Sequence, residues 1–160
     1  MLRIACANAY PAIMDACEEA MRALLARSVQ RVPCVGCTTV QSLSNHWPCL
    51  LPQAGPGAKH TRAIELADWQ HELLQADPGP FVRGLFHSDG SRFDNRVTIA
   101  GKTYSYSRYM LSNESTDILE ICGFALDLLG VEWRYNRRNS LSVARRDSVE
   151  ILDLHVGPKR

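Results

Sequence analysis

The 160-residue sequence has no long hydrophobic run, no glycine-rich phosphate loop, no Ser-His-Asp or Cys-His catalytic signature, and almost no net charge, +1. Each shortage removes a class of function. Without about 18 consecutive apolar residues a helix cannot span a bilayer. Asp15, Glu18 and Glu19 interrupt the apolar stretch that an export signal requires, so a cytoplasmic protein is expected. In such a chain the irregularly spaced Cys6, Cys17, Cys34, Cys37, Cys49 and Cys122 read as reduced thiols rather than a disulfide framework. Cys34-x-x-Cys37 with His46 and Cys49 supplies ligand types that zinc accepts, but the partners are irregularly placed and zinc is not expected. Cys17 and Cys122 fall on apolar stripes as core residues, and His60 and His155 stand beside Gly/Pro loops, where hydrogen bonding within the loop is expected.

What is present begins with an uneven charge. Residues 1–80 carry six Lys/Arg against seven Asp/Glu, residues 81–160 twelve against ten, and Val131 to Arg146 contains Arg134, Arg137, Arg138, Arg145 and Arg146 against Glu132 alone. Such a stripe is either a solvated face or the footprint of a phosphate backbone. Pro80 to Gly90 reads as a helix that opens on proline and ends on glycine, with Gly84 and Ser88 on one face where another helix can approach closely. Asp89 is anomalous there. A carboxylate against the negative end of a helix costs from a few tenths to about 1 kcal/mol, which a cation would reverse. Ser88-Asp89-Gly90-Ser91 is thus either a plain helix-to-strand turn or one side of an all-oxygen site for a hard cation.

Around this helix the chain reads as α+β. A short strand over Leu2–Cys6 leads to a helix from Pro11 to about Arg27 with Ile13, Ala16, Cys17, Ala20 and Leu24 as its stripe, then a hairpin from Val29–Val32 and Thr38–Leu43. Another helix over Ile64–Gln75 places Leu66, Trp69 and Leu73 on one side. After Gly90, Ala100-Gly101 serves as a two-residue turn between Ser91–Ile99 and Lys102–Leu111, pairing 99 with 102 and 98 with 103. That register puts Phe93, Val97, Ile99, Tyr104 and Tyr106 on an apolar face, where the tyrosines are expected to pack in the core. Arg92, Asp94, Arg96, Thr98, Thr103, Ser105 and Ser107 take the other face. Asn113 or Ser115 caps a helix with Ile118, Ile121, Cys122, Ala125, Leu128 and Leu129 buried, stopped by Gly130. In the last hairpin Val131, Trp133, Tyr135, Leu141 and Val143 face inward and Arg134, Asn136, Ser140 and Ser142 outward, with Arg137 and Arg138 at the tip.

The halves repeat. At an offset of 105, Asn8, Ile13, Cys17, Ala20 and Leu24 coincide with Asn113, Ile118, Cys122, Ala125 and Leu129; at 102, Val29 coincides with Val131 and Leu50 with Leu152. The unit is helix, two strands, helix, two strands, helix. It is complete over residues 79–160, while residues 1–78 hold it without the opening helix and first strand, so Met1 is expected to fall inside a repeat.

Phe81-Val82-Arg83-Gly84-Leu85-Phe86-His87-Ser88-Asp89-Gly90 resembles the LAGLIDADG motif of homing endonucleases. The chain is similar over its length to bacterial LAGLIDADG-like proteins through His46-Trp47-Pro48-Cys49-Leu50, Gly55-Pro56-Gly57-Ala58-Lys59-His60, Ser142-Val143-Ala144-Arg145-Arg146 and Val156-Gly157-Pro158-Lys159. The resemblance implies two pseudo-symmetric α-β-β-α-β-β-α halves whose saddle-shaped antiparallel sheets bind double-stranded DNA. It also implies metal-dependent phosphodiester hydrolysis, with Asp89 as catalytic residue and Mg²⁺ ligand beside the Gly90 carbonyl. Arg92, Arg96, Arg134, Asn136, Arg137, Arg138 and Ser142 are the implied DNA contacts, and Gly84 and Ser88 the implied helix-packing interface. His87 stands where the motif has its first acid, a position that is not a metal ligand. With only one motif helix, activity requires a second one, from a longer start or from a homodimer through the Val82–Ser88 face. Otherwise the protein binds DNA without cutting, as a nucleoid-associated regulator.

Overall fold

In the computed structural model, which describes residues 1–24 and 27–159, the chain forms two compact units, Met1–Gly55 with the chain end from Pro158, and Pro56–Gly157. The first unit contains β1 (Leu2–Ala7), α1 (Pro11–Leu24), β2 (Gln30–Cys34), β3 (Cys37–Ser42) and α2 (Trp47–Leu50). The second contains α3 (Asp68–Ala76), α4 (Pro78–Ser88), β4 (Gly90–Ile99), β5 (Lys102–Ser112), α5 (Thr116–Leu128), β6 (Arg134–Arg137), β7 (Ser140–Val143) and α6 (Arg146–Val156). Both sheets are antiparallel, ordered β1-β3-β2 and β4-β5-β7-β6, so the architecture is α+β. The second unit starts at Pro56 rather than at the expected 79, because α3 sends Leu74 into that unit's core. Among the described residues no helix is long and apolar enough to cross a membrane.

Both units follow one strand order. β1-β3-β2 matches β5-β7-β6, and the register agrees residue by residue: Ile4 opposite Val40 matches Tyr109 opposite Val143, and Cys6 opposite Thr38 matches Leu111 opposite Leu141. On the other side, Val32 opposite Thr39 matches Arg134 opposite Ser142. Between the first two strands of each set stands the long helix, α1 or α5. The second unit adds α4 and β4 in front of this common part.

Local chemistry explains most boundaries. Ser115 caps α5 by accepting from the Ile118 N–H at 3.5 Å, while Asn113 Oδ1 accepts from the Ser115 N–H, and Gly130 at φ 68° ends the helix. The β4–β5 turn has Ala100 at φ 49° and Gly101 at φ 77°, a type I′ turn with Ile99 opposite Lys102 as expected. α4 begins at Pro78, two residues before the expected Pro80. Gly90 is not a left-handed cap. It opens β4, and a Cβ there would stand 2.5 Å from Phe86 Cδ1 and 2.7 Å from Phe86 Cα, so the helix turns into the strand without a loop only because residue 90 has no side chain.

The second core gathers Val82 and Phe86 of α4, Tyr109 and Leu111 of β5, Leu119, Cys122, Ala125 and Leu126 of α5, Leu141 and Val143 of β7, and Leu152 and Val156 of α6. The first is smaller: Cys6, Met14, Met21, Val40 and Trp47. Two expected stripes are rotated. On α1 the interior positions are Met14 and Met21, Ile13 and Cys17 are half-buried, and Ala16, Ala20 and Leu24 are exposed; the continuation expected over residues 25 and 26 lies outside the described residues. On α3 the buried residue is Leu74, with Trp69 and Leu73 exposed.

Candidate nucleic-acid interface

Direct cross-strand partners share a face of a sheet, and neighbours along a strand do not. Tyr109, Leu111, Leu141 and Val143 are at most 2% exposed, so their face is the one covered by helices. Continuing the alternation along the hairpin places Arg92, Asp94, Arg96, Thr98, Thr103, Ser105 and Ser107 on that same side. The hairpin outruns the helices that cover it. Its apolar face is therefore the outer one, and Phe93, Val97, Ile99, Tyr104 and Tyr106 are exposed rather than buried. Tyr104 and Tyr106, expected to pack in the core, stack on each other in the open at 6.3 Å and 15°.

This relocates the arginines. Arg92 faces the helices: Nε and Nη2 donate to the two Asp153 oxygens on α6 at 2.7 and 2.9 Å, and Tyr109 donates its hydroxyl to the same carboxylate at 2.7 Å. Those bonds from Arg92 hold the Asp153 carboxyl below its ordinary range, while burial and the neighbouring carboxylate push the Tyr109 hydroxyl up. Arg92 is a structural tie, and Arg96 shares its side. Beneath the arm an open cleft of about 440 Å³ runs past Arg92, Arg146, Glu150 and Asp153, but its cations are matched, Arg92 to Asp153 and Arg146 to Glu150.

The outer face carries the free charge. Arg134 lies opposite Ser142, which lies opposite Met110. A bulge between Tyr135 and Arg137 then brings Arg137 opposite Ser140, so Arg134 and Arg137 point to one side with Asn136 as the extra residue. Together with Lys102 and Arg108 of β5 they put four cations on a face to which β4, β5, β6 and β7 contribute no carboxylate. None of the four forms an ion pair among the described residues. The other expected contacts differ. Arg138 reaches Glu114 at 3.5 Å, and Ser142 is 1% exposed, out of reach of a partner. Arg145 and Arg146 are tied to Glu132, Asp147 and Glu150. Lys102 and Arg108 were not among the expected contacts, and Tyr104 and Tyr106 were expected in the core rather than stacking bases, because alternation shows two faces without showing which one the helices cover.

Asp89 is exposed at the foot of α4, and its Oδ2 accepts from the Asn113 side-chain amide at 2.9 Å. The amide thus answers part of the electrostatic cost of a carboxylate at a helix C-terminus. Gly90 is buried at the start of β4, opposite Leu111. Among the described residues no three His, Cys, Asp or Glu side chains gather as a metal site, at Asp89 or at Cys34, Cys37, His46 and Cys49. Gly84 has open space where a Cβ would stand, and Ser88 is exposed, so this face of α4 is free. Val82 and Phe86 are not part of it, since they fill the unit's own core, and the expected Val82–Ser88 contact narrows to Gly84 and Ser88.

No protein-family model and no curated protein matches the chain.

Proposed function

We propose that the protein binds double-stranded DNA on a LAGLIDADG-type scaffold, using the outer face of the β4-β5-β7-β6 sheet. The observation that carries this reading is the set of four cations on that face, Lys102, Arg108, Arg134 and Arg137, without an intervening carboxylate. An unpaired cation on a sheet surface gains by replacing the condensed counterions of a phosphate backbone, whereas paired cations such as Arg92 and Arg146 gain nothing. Stacked Tyr104 and Tyr106, with Asn95 opposite Tyr106, add flat and hydrogen-bonding surface beside the charge. The scaffold reading draws on the shared strand order of the two units and on a helix that runs through Gly84 to Asp89 and directly into a strand.

Binding without cleavage is the form this chain favours. A Mg²⁺ ion bound between scissile phosphates would supply the activated water and neutralise the leaving oxygen. Asp89 would be its protein ligand, but it is already engaged with Asn113, and among the described residues it joins no group of three metal-ligating side chains. What its residues do is hold Asp89 in place and leave the Gly84–Ser88 face open for a twin helix; metal-dependent hydrolysis belongs to a form in which a second motif helix is supplied.

The test is the salt dependence of binding to a random-sequence duplex. Replacing Arg134 and Arg137 together with alanine is expected to lower the slope of log affinity against log salt by about 2, while Arg92→Ala leaves it unchanged. An equal loss in both variants, or salt-insensitive binding, overturns the reading. Nicking of the duplex with Mg²⁺ that Asp89→Asn abolishes would assign the enzyme form instead.

A further inference from the structure

Cys34 closes β2 and Cys37 opens β3, with only Val35 and Gly36 between them. Gly36, at φ 75°, takes the left-handed position that so short a turn needs. The two cysteines are direct cross-strand partners, so their side chains stand on one face of the sheet. That face is the open one, because Val40 and Ser42, on the other face of β3, are buried and α1 packs against β3. Opposed residues of an antiparallel pair have Cα atoms about 4.5–5.5 Å apart, inside the roughly 4.4–6.8 Å that a disulfide spans. Both cysteines are free thiols, Cys34 exposed and Cys37 half-buried. Weak contacts of Cys34 Sγ with the Val32 carbonyl at 3.6 Å and the Thr39 hydroxyl at 3.7 Å keep it over the sheet. Cys6 and Cys17 also meet, between β1 and α1, but Cys6 lies in the core, and burial, with Cys6 alongside, pushes the Cys17 thiol up to about 11.

We propose that Cys34 and Cys37 form a reversible dithiol–disulfide site whose co-reactant is a small organic disulfide. Cys34, open to solvent, attacks as the thiolate: its Sγ bonds to one sulfur of the co-reactant, the S–S bond there breaks, and one small thiolate leaves. Cys37 then gives its proton to solvent and attacks Cys34 Sγ, which closes the bond across the turn and expels the second small thiolate. The two protein thiols are oxidised by two electrons, and the organic disulfide is reduced to two thiols. The order of attack follows from the surroundings. Burial first, and then the neighbouring Cys34, push the Cys37 thiol up. Once Cys34 is capped its charge is gone, and one of the influences that keep Cys37 protonated goes with it. The product ties the two strand ends without moving the ladder, since the partners are already in register. The inference is independent of the DNA-binding reading.

The probe is oxidised glutathione, added to the folded full chain and followed by intact mass and peptide mapping under acid quench. The chain is expected to lose two hydrogens, with the new bond mapped to Cys34 and Cys37, and to regain them in excess reduced glutathione. Cys37→Ser is expected to stop at a persistent mixed disulfide on Cys34. Cys34→Ser is expected to lose the reaction, with Cys37 capped at least about tenfold more slowly than Cys34 is in the Cys37→Ser chain. Far-ultraviolet dichroism confirms that each variant is folded, and Cys17→Ser, which removes the other adjoining pair, is expected to leave the reaction unchanged. A bond mapped to Cys6 and Cys17 or to Cys49 overturns the proposal. So does a wild-type chain that stays capped with glutathione without closing, or one that reacts only after denaturation.

Discussion

Gly84 and Gly90, on one helix–strand unit, behave oppositely at the scale of single residues. Gly84 sits inside α4 with nothing near its missing Cβ, so Gly84→Ala removes only the conformational freedom of the unfolded chain and is expected to raise stability by up to about 1 kcal/mol. Gly90→Ala drives a methyl into the Phe86 side chain and backbone and is expected to cost about 1–3 kcal/mol. Urea unfolding of both variants checks the two signs. Asp153 is the residue whose titration matters. Its folded carboxyl is held low, first by Arg92 and also by Tyr109, with burial opposing. A depressed folded value means that its stabilisation is complete above the unfolded value near 3.9 and is lost as pH falls through the folded one. Both side chains of the pair are more than a third exposed, so the contribution is about 1 kcal/mol or less. Asp153→Asn is expected to lower the urea midpoint at pH 7 and to leave a smaller loss of stability below about pH 4.

At the scale of elements, the β4–β5 hairpin shows what sequence reading resolves and what it misses. Ala100-Gly101 was sufficient to set the register of ten residue pairs, because a two-residue turn admits few strand alignments. The same pattern did not tell inside from outside. The apolar set Phe93, Val97, Ile99, Tyr104 and Tyr106 belongs to a strand pair that extends past its covering helices, so the rule that apolar side chains turn inward has nothing there to turn toward. The inward side is set further along β5, by Tyr109 and Leu111. Ala100 itself pays for the turn with a left-handed backbone, φ 49°. Ala100→Asn is expected to recover a fraction of the roughly 1–2 kcal/mol that this conformation costs an ordinary residue, seen as a higher thermal midpoint. α1 and α3 were legible as helices, yet both stripes were rotated, since sparse apolar residues at helical spacing allow more than one face.

At the scale of the molecule, the two units are unequally filled. The second buries fifteen apolar residues in one cluster and the first five, so the first is expected to open at lower denaturant. Trp47 is the one tryptophan of the first unit, Trp69 and Trp133 belonging to the second. In a chain carrying Trp69→Phe and Trp133→Phe, fluorescence reports the first unit alone, and its urea midpoint is expected below that of the far-ultraviolet dichroism transition; coincident midpoints would show one cooperative unit. The sequence by itself determined the α+β character, the register of the β4–β5 hairpin and the stop of α5 at Gly130, all set by local backbone chemistry and spacing. Only the tertiary structure decided which sheet face the helices cover. It thereby put Arg92 and Arg96 on the helix side and Lys102 and Arg108 on the open side with Arg134 and Arg137, because the covered face depends on where distant helices end. It likewise revealed that Asp89 is held by Asn113, 24 residues away in the chain, a pairing that no local pattern encodes.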